Sequence, residues 1–311
     1  MDERHHLSIR GNPMAGFRAD INGLRAWAVV AVMLYHFGVP GFSGGFVGVD
    51  VFFVISGFLM TGIVVRGLER AKGEAFSIGS FYMARARRIV PALIALCAVL
   101  LALGWWRLLP SEYKMLGTHV AFSLAFLSNI KFWREAGYFD AAAHDKWLLH
   151  TWSLAVEWQF YLLLPLVLWA AWRLRPGRRM ITIVLTGGLL ASLGFCIVLT
   201  LSKPTAAFYL LPARAWEMLA GGLVFLAADN VVFRSDRHRA ALEAGGLALV
   251  IASVVGFDAS SSWPGWRAMV PVAGAVAVIL AGRTRSIWTG GGLVQWLGTR
   301  SYSLYLWHWP V

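Results

Sequence analysis

Runs of about twenty apolar residues follow one another along this chain, and nothing else constrains its fold as strongly. They fall at 24–40, 46–65, 89–109, 113–130, 152–172, 180–201, 207–229, 240–257, 267–282 and 297–311. A helix rises about 1.5 Å per residue, so a run of this length crosses the ~30 Å hydrocarbon core of a bilayer. Lipid offers no hydrogen bonds, so each crossing backbone has to satisfy its own N–H and C=O groups, which a helix does. The expectation is an all-α, polytopic membrane protein of about ten hydrophobic helices. Composition agrees, since 58% of the 311 residues are hydrophobic and only 14% are charged.

The opening residues MDERHHLSIRGNP lack the apolar core and cleavage site of a secretory signal. Residues 1–16 therefore read as a cytoplasmic tail and 17–311 as one membrane domain. The net charge of +12 does not point to nucleic acid, because the basic residues gather between apolar runs. The clusters are Arg66/Arg70/Lys72/Arg85/Arg87/Arg88, Arg173/Arg175/Arg178/Arg179, Arg234/Arg237/Arg239 and Arg283/Arg285. All four belong on the cytoplasmic side if the positive-inside rule holds. That arrangement fails if every run crosses. It is restored if 113–130, with its polar His119, Ser123, Ser128 and Asn129, is re-entrant or interfacial. Cys97 and Cys196 lie in apolar runs and form no metal-binding pair, and no HExxH-like ligand spacing occurs. The last run, LGTRSYSLYLWHWPV, has barely enough residues to cross, so the chain reads as truncated in its last helices. Trp307 and His308 read there as interfacial aromatics.

Within GLRAWAVVAVMLYHFG, eleven residues separate Arg25 from His36. At about 100° and 1.5 Å per residue they share a helix face about 16 Å apart. Alone, Arg25 reads as a membrane anchor and His36 as a packing residue. Together they suit a long ligand with a phosphate head and a reactive end, such as an acyl-coenzyme A. Asp50 opens the next run after a glycine-rich turn, where it either orients His36 or caps the helix. The turn formally fits G-x-S-x-G at Gly41–Gly45, but lacks the strand–turn–helix setting of a nucleophile elbow.

Further along, Arg85 and Arg88 share a helix face, and Pro91 falls where the next span begins. Arg87 and Arg88 are the candidates for coenzyme phosphates, the alternative being an interfacial helix on anionic lipid. His150, Ser153 and Glu157 lie on one helical stripe at the outer end of their span, with Glu157 paired to Arg214 in the structural alternative. Trp152 suits a sugar platform or a membrane belt. Arg214 and Glu217, three apart, form either a pair within one helix or part of the acceptor site. These buried charges also admit a proton-coupled or polar-solute transporter.

The phrases FRADINGLRAWAVVAVMLYHF, GGFVGVDVFFVISGFLMTG, FYMARARRIVPAL, HTWSLAVEWQFYLLLP, RAWEMLAGG and LGTRSYSLYLWHWP occur in that order. Their sequence resembles the acyltransferase-3 family of integral membrane acyltransferases over nearly the whole chain from Phe17. The resemblance implies transfer of an acetyl group from cytoplasmic acetyl-CoA to a hydroxyl of O-antigen, peptidoglycan, exopolysaccharide or a lipid-linked sugar. It also implies the bacterial inner membrane as the location, with no metal, and marks Arg25 and His36 as functional. Some family members carry a fused SGNH hydrolase-like domain, whose place would be beyond Val311. On this reading His36, Asp50 and Glu157 are catalytic, and Arg25, Arg87 and Arg88 hold the coenzyme. His150, Trp152, Ser153, Arg214 and Glu217 meet the acceptor. His36 acts either as a general base or as a transient acyl carrier.

Overall fold

The computed structural model describes residues 17–70, 76–136, 146–233 and 235–310. The tail 1–16, Lys72, Arg234 and Val311, on which parts of the sequence reading fall, lie outside the described residues. Within them the chain is all-helical. In order come α1 (Ala19–His36), a 3-10 turn (Gly45–Val47), α2 (Gly48–Arg70), α3 (Ile78–Arg107), α4 (Pro110–Leu124), α5 (Ser128–Glu135) and α6 (Thr151–Leu174). There follow α7 (Arg178–Ser202), α8 (Pro204–Tyr209), α9 (Leu211–Ala228), α10 (Asp236–Gly256), α11 (Met269–Ala281) and α12 (Gly292–Trp307).

Among the described residues six stretches are long and apolar enough to cross a bilayer: Gly45–Arg70, Ile78–Arg107, Thr151–Leu174, Arg178–Ser202, Leu211–Ala228 and Asp236–Gly256. The shorter α11 is also apolar. Polar contacts sort the helix ends. Arg178 at the start of α7 bonds Glu69 at the end of α2 and Asp229 beyond α9. Arg283, after α11, bonds Asp236 and Glu243 of α10. Arg18 reaches Ile279 O near the end of α11, and Asn22 of α1 reaches Gln295 of α12. At the other end, His36 meets His308, and Gly44 N donates to Val254 O of α10. The helices α1, α2, α3, α6, α7, α9, α10, α11 and α12 thus run alternately between one arginine-rich end and one end bearing the histidines.

The stretch 113–130 is no single span. It breaks at Phe126, a non-glycine residue with φ of 54°, into α4 and α5. The 15 residues of α4 rise about 22 Å, short of the hydrocarbon core. In α4 His119 meets Glu135 and Ser123 meets Thr151, and in α5 Asn129 donates to Tyr209 O. This agrees with 113–130 set apart from the crossing helices, and 207–229 also divides, at Leu210, into α8 and α9. Pro91 is a second correction, since α3 starts at Ile78 and Pro91 lies inside it. The helix continues through FYMARARR because those residues favour helix, and Pro91 deletes one i→i−4 bond within it.

Among the candidate spans α2 is the most buried, packed against α1, α6, α9 and α11. Its closest approach is to α9. A Cβ added at Gly57 would strike Met218 O, and one added at Gly221 would strike Val54 O. Small residues let these backbones touch, which gains dispersion contacts where no hydrophobic force drives helices together. The glycines of RAWEMLAGG thereby set the depth at which α9 presents Arg214 to α2. Gly221→Val is expected to cost about 1–3 kcal/mol or more through overpacking. It should lower the thermal unfolding midpoint in detergent, whereas Gly245→Ala, with nothing within 4 Å, should leave that midpoint in place or raise it.

Candidate active site

The regular geometry of α1 sets the frame. Arg25 lies one turn into the helix, and His36 is its last residue before the chain reverses through Gly38 at φ of 66°. The two side chains line different chambers. Val49 of α2 and Tyr305 of α12 line both. The single corridor expected between Arg25 and His36 is therefore divided. The helical phase was as foreseen, but side chains from neighbouring helices occupy the space between the two residues.

The first chamber is narrow, about 100 Å³. Arg25, Arg85 and Arg88 line it, opposite Glu157, Ser56 and Tyr161. Arg25 Nε donates to Ser301 Oγ at 3.0 Å. The carboxylate of Glu157 accepts from the hydroxyls of Ser56 and Tyr161. Arg87 is exposed and does not line the chamber, while Arg85 does. The three-residue spacing of Arg85 and Arg88 places both on the inward stripe of α3, and Arg87 falls to one side.

The second chamber is larger, about 960 Å³, within the size range of small-molecule sites. His36, His150, Trp152, Tyr209, Trp263 and Trp309 contribute to its wall. His36 Nδ1 lies 2.8 Å from His308 Nε2 with the two rings within 26° of one plane, and the Trp309 ring meets His36 edge-on. Both ring nitrogens of His150 are buried with no hydrogen-bond partner among the described residues. Asp258 stands on an exposed loop at the rim, where the Ser260 hydroxyl and amide hold its carboxyl below the usual range.

The stripe of α6 is divided between the chambers. His150 belongs to the larger one, and Ser153 and Glu157 to the smaller. Ser153 Oγ lies 2.6 Å from the Tyr305 hydroxyl. Glu157 thus stands among arginines, away from His36, and its partners are Ser56 and Tyr161 rather than Arg214.

Asp50 does not orient His36. Its Oδ1 accepts from Arg214 Nη1 at 2.7 Å, and the same nitrogen donates to Glu217 Oε1 at 2.7 Å. All three side chains are at most 1% exposed. Phe53, Trp152 and Phe208 surround the guanidinium, so Trp152 is a buried ring over Arg214 and also part of the chamber wall. The pairing of Arg214 with Glu217 follows from their spacing on one helix turn. Asp50 joined them for a reason that sequence does not display: an isolated carboxylate in this interior is costly, and α9 brings a cation to it.

Arg85, His308, Tyr305, Ser56 and Tyr161 are not among the residues that the sequence assigns to the site. For Arg85 the signal was its shared face with Arg88, and for Tyr161 its position one turn beyond Glu157. For His308 the topology itself was the signal, because an ascending last helix ends level with His36.

The arrangement of paired chambers, one cationic and one bearing imidazoles, coincides with a family match. The chain belongs to the acyltransferase-3 family. The family's acyltransferase domain matches residues 18–311. The chain is 33% identical over 294 residues to BcsY of Komagataeibacter xylinus, described as a membrane-bound transacylase; the match covers 94% of this chain and 72% of that protein. It is 31% identical over 309 residues to the peptidoglycan O-acetyltransferase OatA of Listeria monocytogenes, covering 94% of this chain and 49% of OatA. The O-acetyltransferase OatA of Staphylococcus aureus is 28% identical over 310 residues, with 94% of this chain and 50% of that protein covered. The chain thus spans about half the length of the two OatA proteins. No solved structure matches. The chain is a multi-pass membrane acyltransferase domain, and the transporter reading is set aside.

Breaking a buried ion pair from one side costs about 3–5 kcal/mol. Arg214→Met, which strands two carboxylates, is expected to lower the thermal midpoint sharply. Asp50→Asn keeps the Arg214–Glu217 pair while removing the excess carboxylate, and should cost far less in the same measurement.

Proposed function

We propose that this domain moves an acetyl group from cytoplasmic acetyl-CoA to a hydroxyl of a bacterial cell-surface glycan or its lipid-linked precursor. What supports this most is the juxtaposition of a chamber lined by Arg25, Arg85 and Arg88 with one walled by His36 and His150, across the shared Val49 and Tyr305. Guanidinium groups suit phosphates because their planar forks give two charge-assisted bonds each. The coenzyme's phosphates would sit at or just outside the first chamber, and the thioester would pass Tyr305 to reach His36. The gathering of basic clusters at one end supports a cytoplasmic face there, an N-terminus on that side, and residence in the inner membrane.

His36 then takes the proton of the acceptor hydroxyl as its oxygen attacks the thioester carbon. The C–S bond breaks, and the thiolate leaves with that proton. The larger chamber suits a sugar, with the rings of Trp263 and Trp309 as faces for the pyranose and Asp258 at the rim for hydroxyls. The relatives named peptidoglycan O-acetyltransferase and O-acetyltransferase favour a glycan acceptor. A transient acyl-histidine on His36 is the second route, and ping-pong kinetics would mark it.

Loss of one charge-assisted bond of about 1.5–3 kcal/mol weakens binding by roughly ten- to a hundredfold. Arg85→Ala is therefore expected to raise the Kd for coenzyme A by that factor in calorimetry, and Arg87→Ala to change it less than about twofold. His36→Ala should still bind coenzyme A while cells carrying it lose acetate esters from their surface glycans by mass analysis. Glycans acetylated as in the wild type would overturn the assignment.

A further inference from the structure

The turn that closes α12 carries a directional chain of polar atoms leading to His36. His308 Nδ1 lies 2.6 Å from the main-chain carbonyl oxygen of Tyr305. That carbonyl is in the last turn of the helix, where C=O groups lack intrahelical partners, so the imidazole satisfies a group that otherwise goes without. A carbonyl only accepts, so Nδ1 of His308 carries the hydrogen. In neutral His308 the other nitrogen, Nε2, is then a lone-pair acceptor. It stands 2.8 Å from Nδ1 of His36. The hydrogen between the two rings therefore belongs to His36, whose Nδ1 donates. In the neutral ring this leaves the lone pair of His36 on Nε2.

We propose that His308 is a positioning residue that fixes the reactive tautomer of His36. This rests on the reading of His36 as the acyl-transfer base. His308 lies 4% exposed, its ring only 26° from the plane of His36 with centroids 5.0 Å apart, so the two imidazoles meet end-on through their nitrogens and ring orientation as well as tautomer is held. The part often played by a carboxylate beside a catalytic imidazole falls here to a second imidazole anchored on a peptide carbonyl. Asp50, the nearest carboxylate in sequence, is committed to Arg214. When His36 Nε2 takes the hydroxyl proton, its Nδ1–H continues to donate to His308 Nε2, and the positive charge is shared with a neutral acceptor. No proton has to leave His308. The proton on His36 Nε2 goes to the departing thiolate, which restores the starting tautomer. The other titratable groups lining the same chamber are Tyr35, His150, Tyr209, Arg214, Asp258 and Tyr305. Of these, Arg214 is occupied by its two carboxylates and Asp258 by Ser260 and Ser261.

The test uses the full chain, labelled with ¹⁵N-histidine, in detergent or nanodiscs. Wild-type protein is expected to show neutral His36 with a protonated Nδ1 and an unprotonated Nε2. His308→Phe keeps an aromatic ring at that position and removes the acceptor, and should leave His36 as a mixture of tautomers. His308→Gln returns an acceptor oxygen near the position of Nε2 and should restore the single tautomer. In cells, acetate esters on the surface glycans should fall roughly ten- to a hundredfold with the Phe variant and recover most of the way with Gln. A wild-type His36 protonated at Nε2, an unchanged tautomer in His308→Phe, or equal acetylation by the Phe and Gln variants would overturn the proposal. The wild-type spectrum decides it even if both variants fail to fold. Glycans still acetylated by His36→Ala would instead overturn the catalytic reading of His36, whatever the spectrum shows.

Discussion

The buried guanidinium of Arg214 is the interaction around which the helices are arranged. It holds Asp50 of α2 and Glu217 of α9 through one nitrogen, in an interior where an unpaired charge is costly. The three aromatic faces around it keep water out, so the attraction is little screened. This contact fixes the rotation of α2, because turning it to bring Asp50 elsewhere would strand that carboxylate in the interior. With α2 held, Val49 and Ser56 face the small chamber beside residues of α6 and α12, and α1 packs against both α2 and α12. The glycine contacts of Gly57 and Gly221 set the spacing that the ion pair requires.

Around that hub the remaining polar groups separate by chemistry. Cations and one carboxylate gather in the small chamber, and imidazoles and indoles in the large one. Such a division suits a reaction whose donor is anionic at one end and whose acceptor is a neutral polyol. On the proposed reading each substrate would meet surroundings matched to it, and only the thioester would have to move between them.

Much of the fold was legible because lipid imposes simple rules. Length and hydropathy marked α2, α3, α6, α7, α9 and α10, and the distribution of arginine favoured a 113–130 that does not cross. Where the reading failed, the missing information was tertiary. The ranking of Arg87 over Arg85 went against a helical phase visible in the sequence. The partner of Asp50, by contrast, lies 164 residues away, and no local pattern names it. His308 looked like an interfacial aromatic because its neighbours are tryptophans. Its meaning depends on α1 and α12 packing together, 272 residues apart in sequence.

Tyr305 stands in two of these relationships at once. Its ring is part of the partition between the cavities, while its peptide oxygen anchors the imidazole that faces His36. A shift of that turn large enough to admit an acyl chain would also disturb the anchor. Passage and alignment are therefore mechanically linked, and the alignment would return only as the turn settles around the arriving group. A membrane enzyme handling an energy-rich ester benefits from such a linkage, since a stray water entering with the door open would find the imidazole out of true.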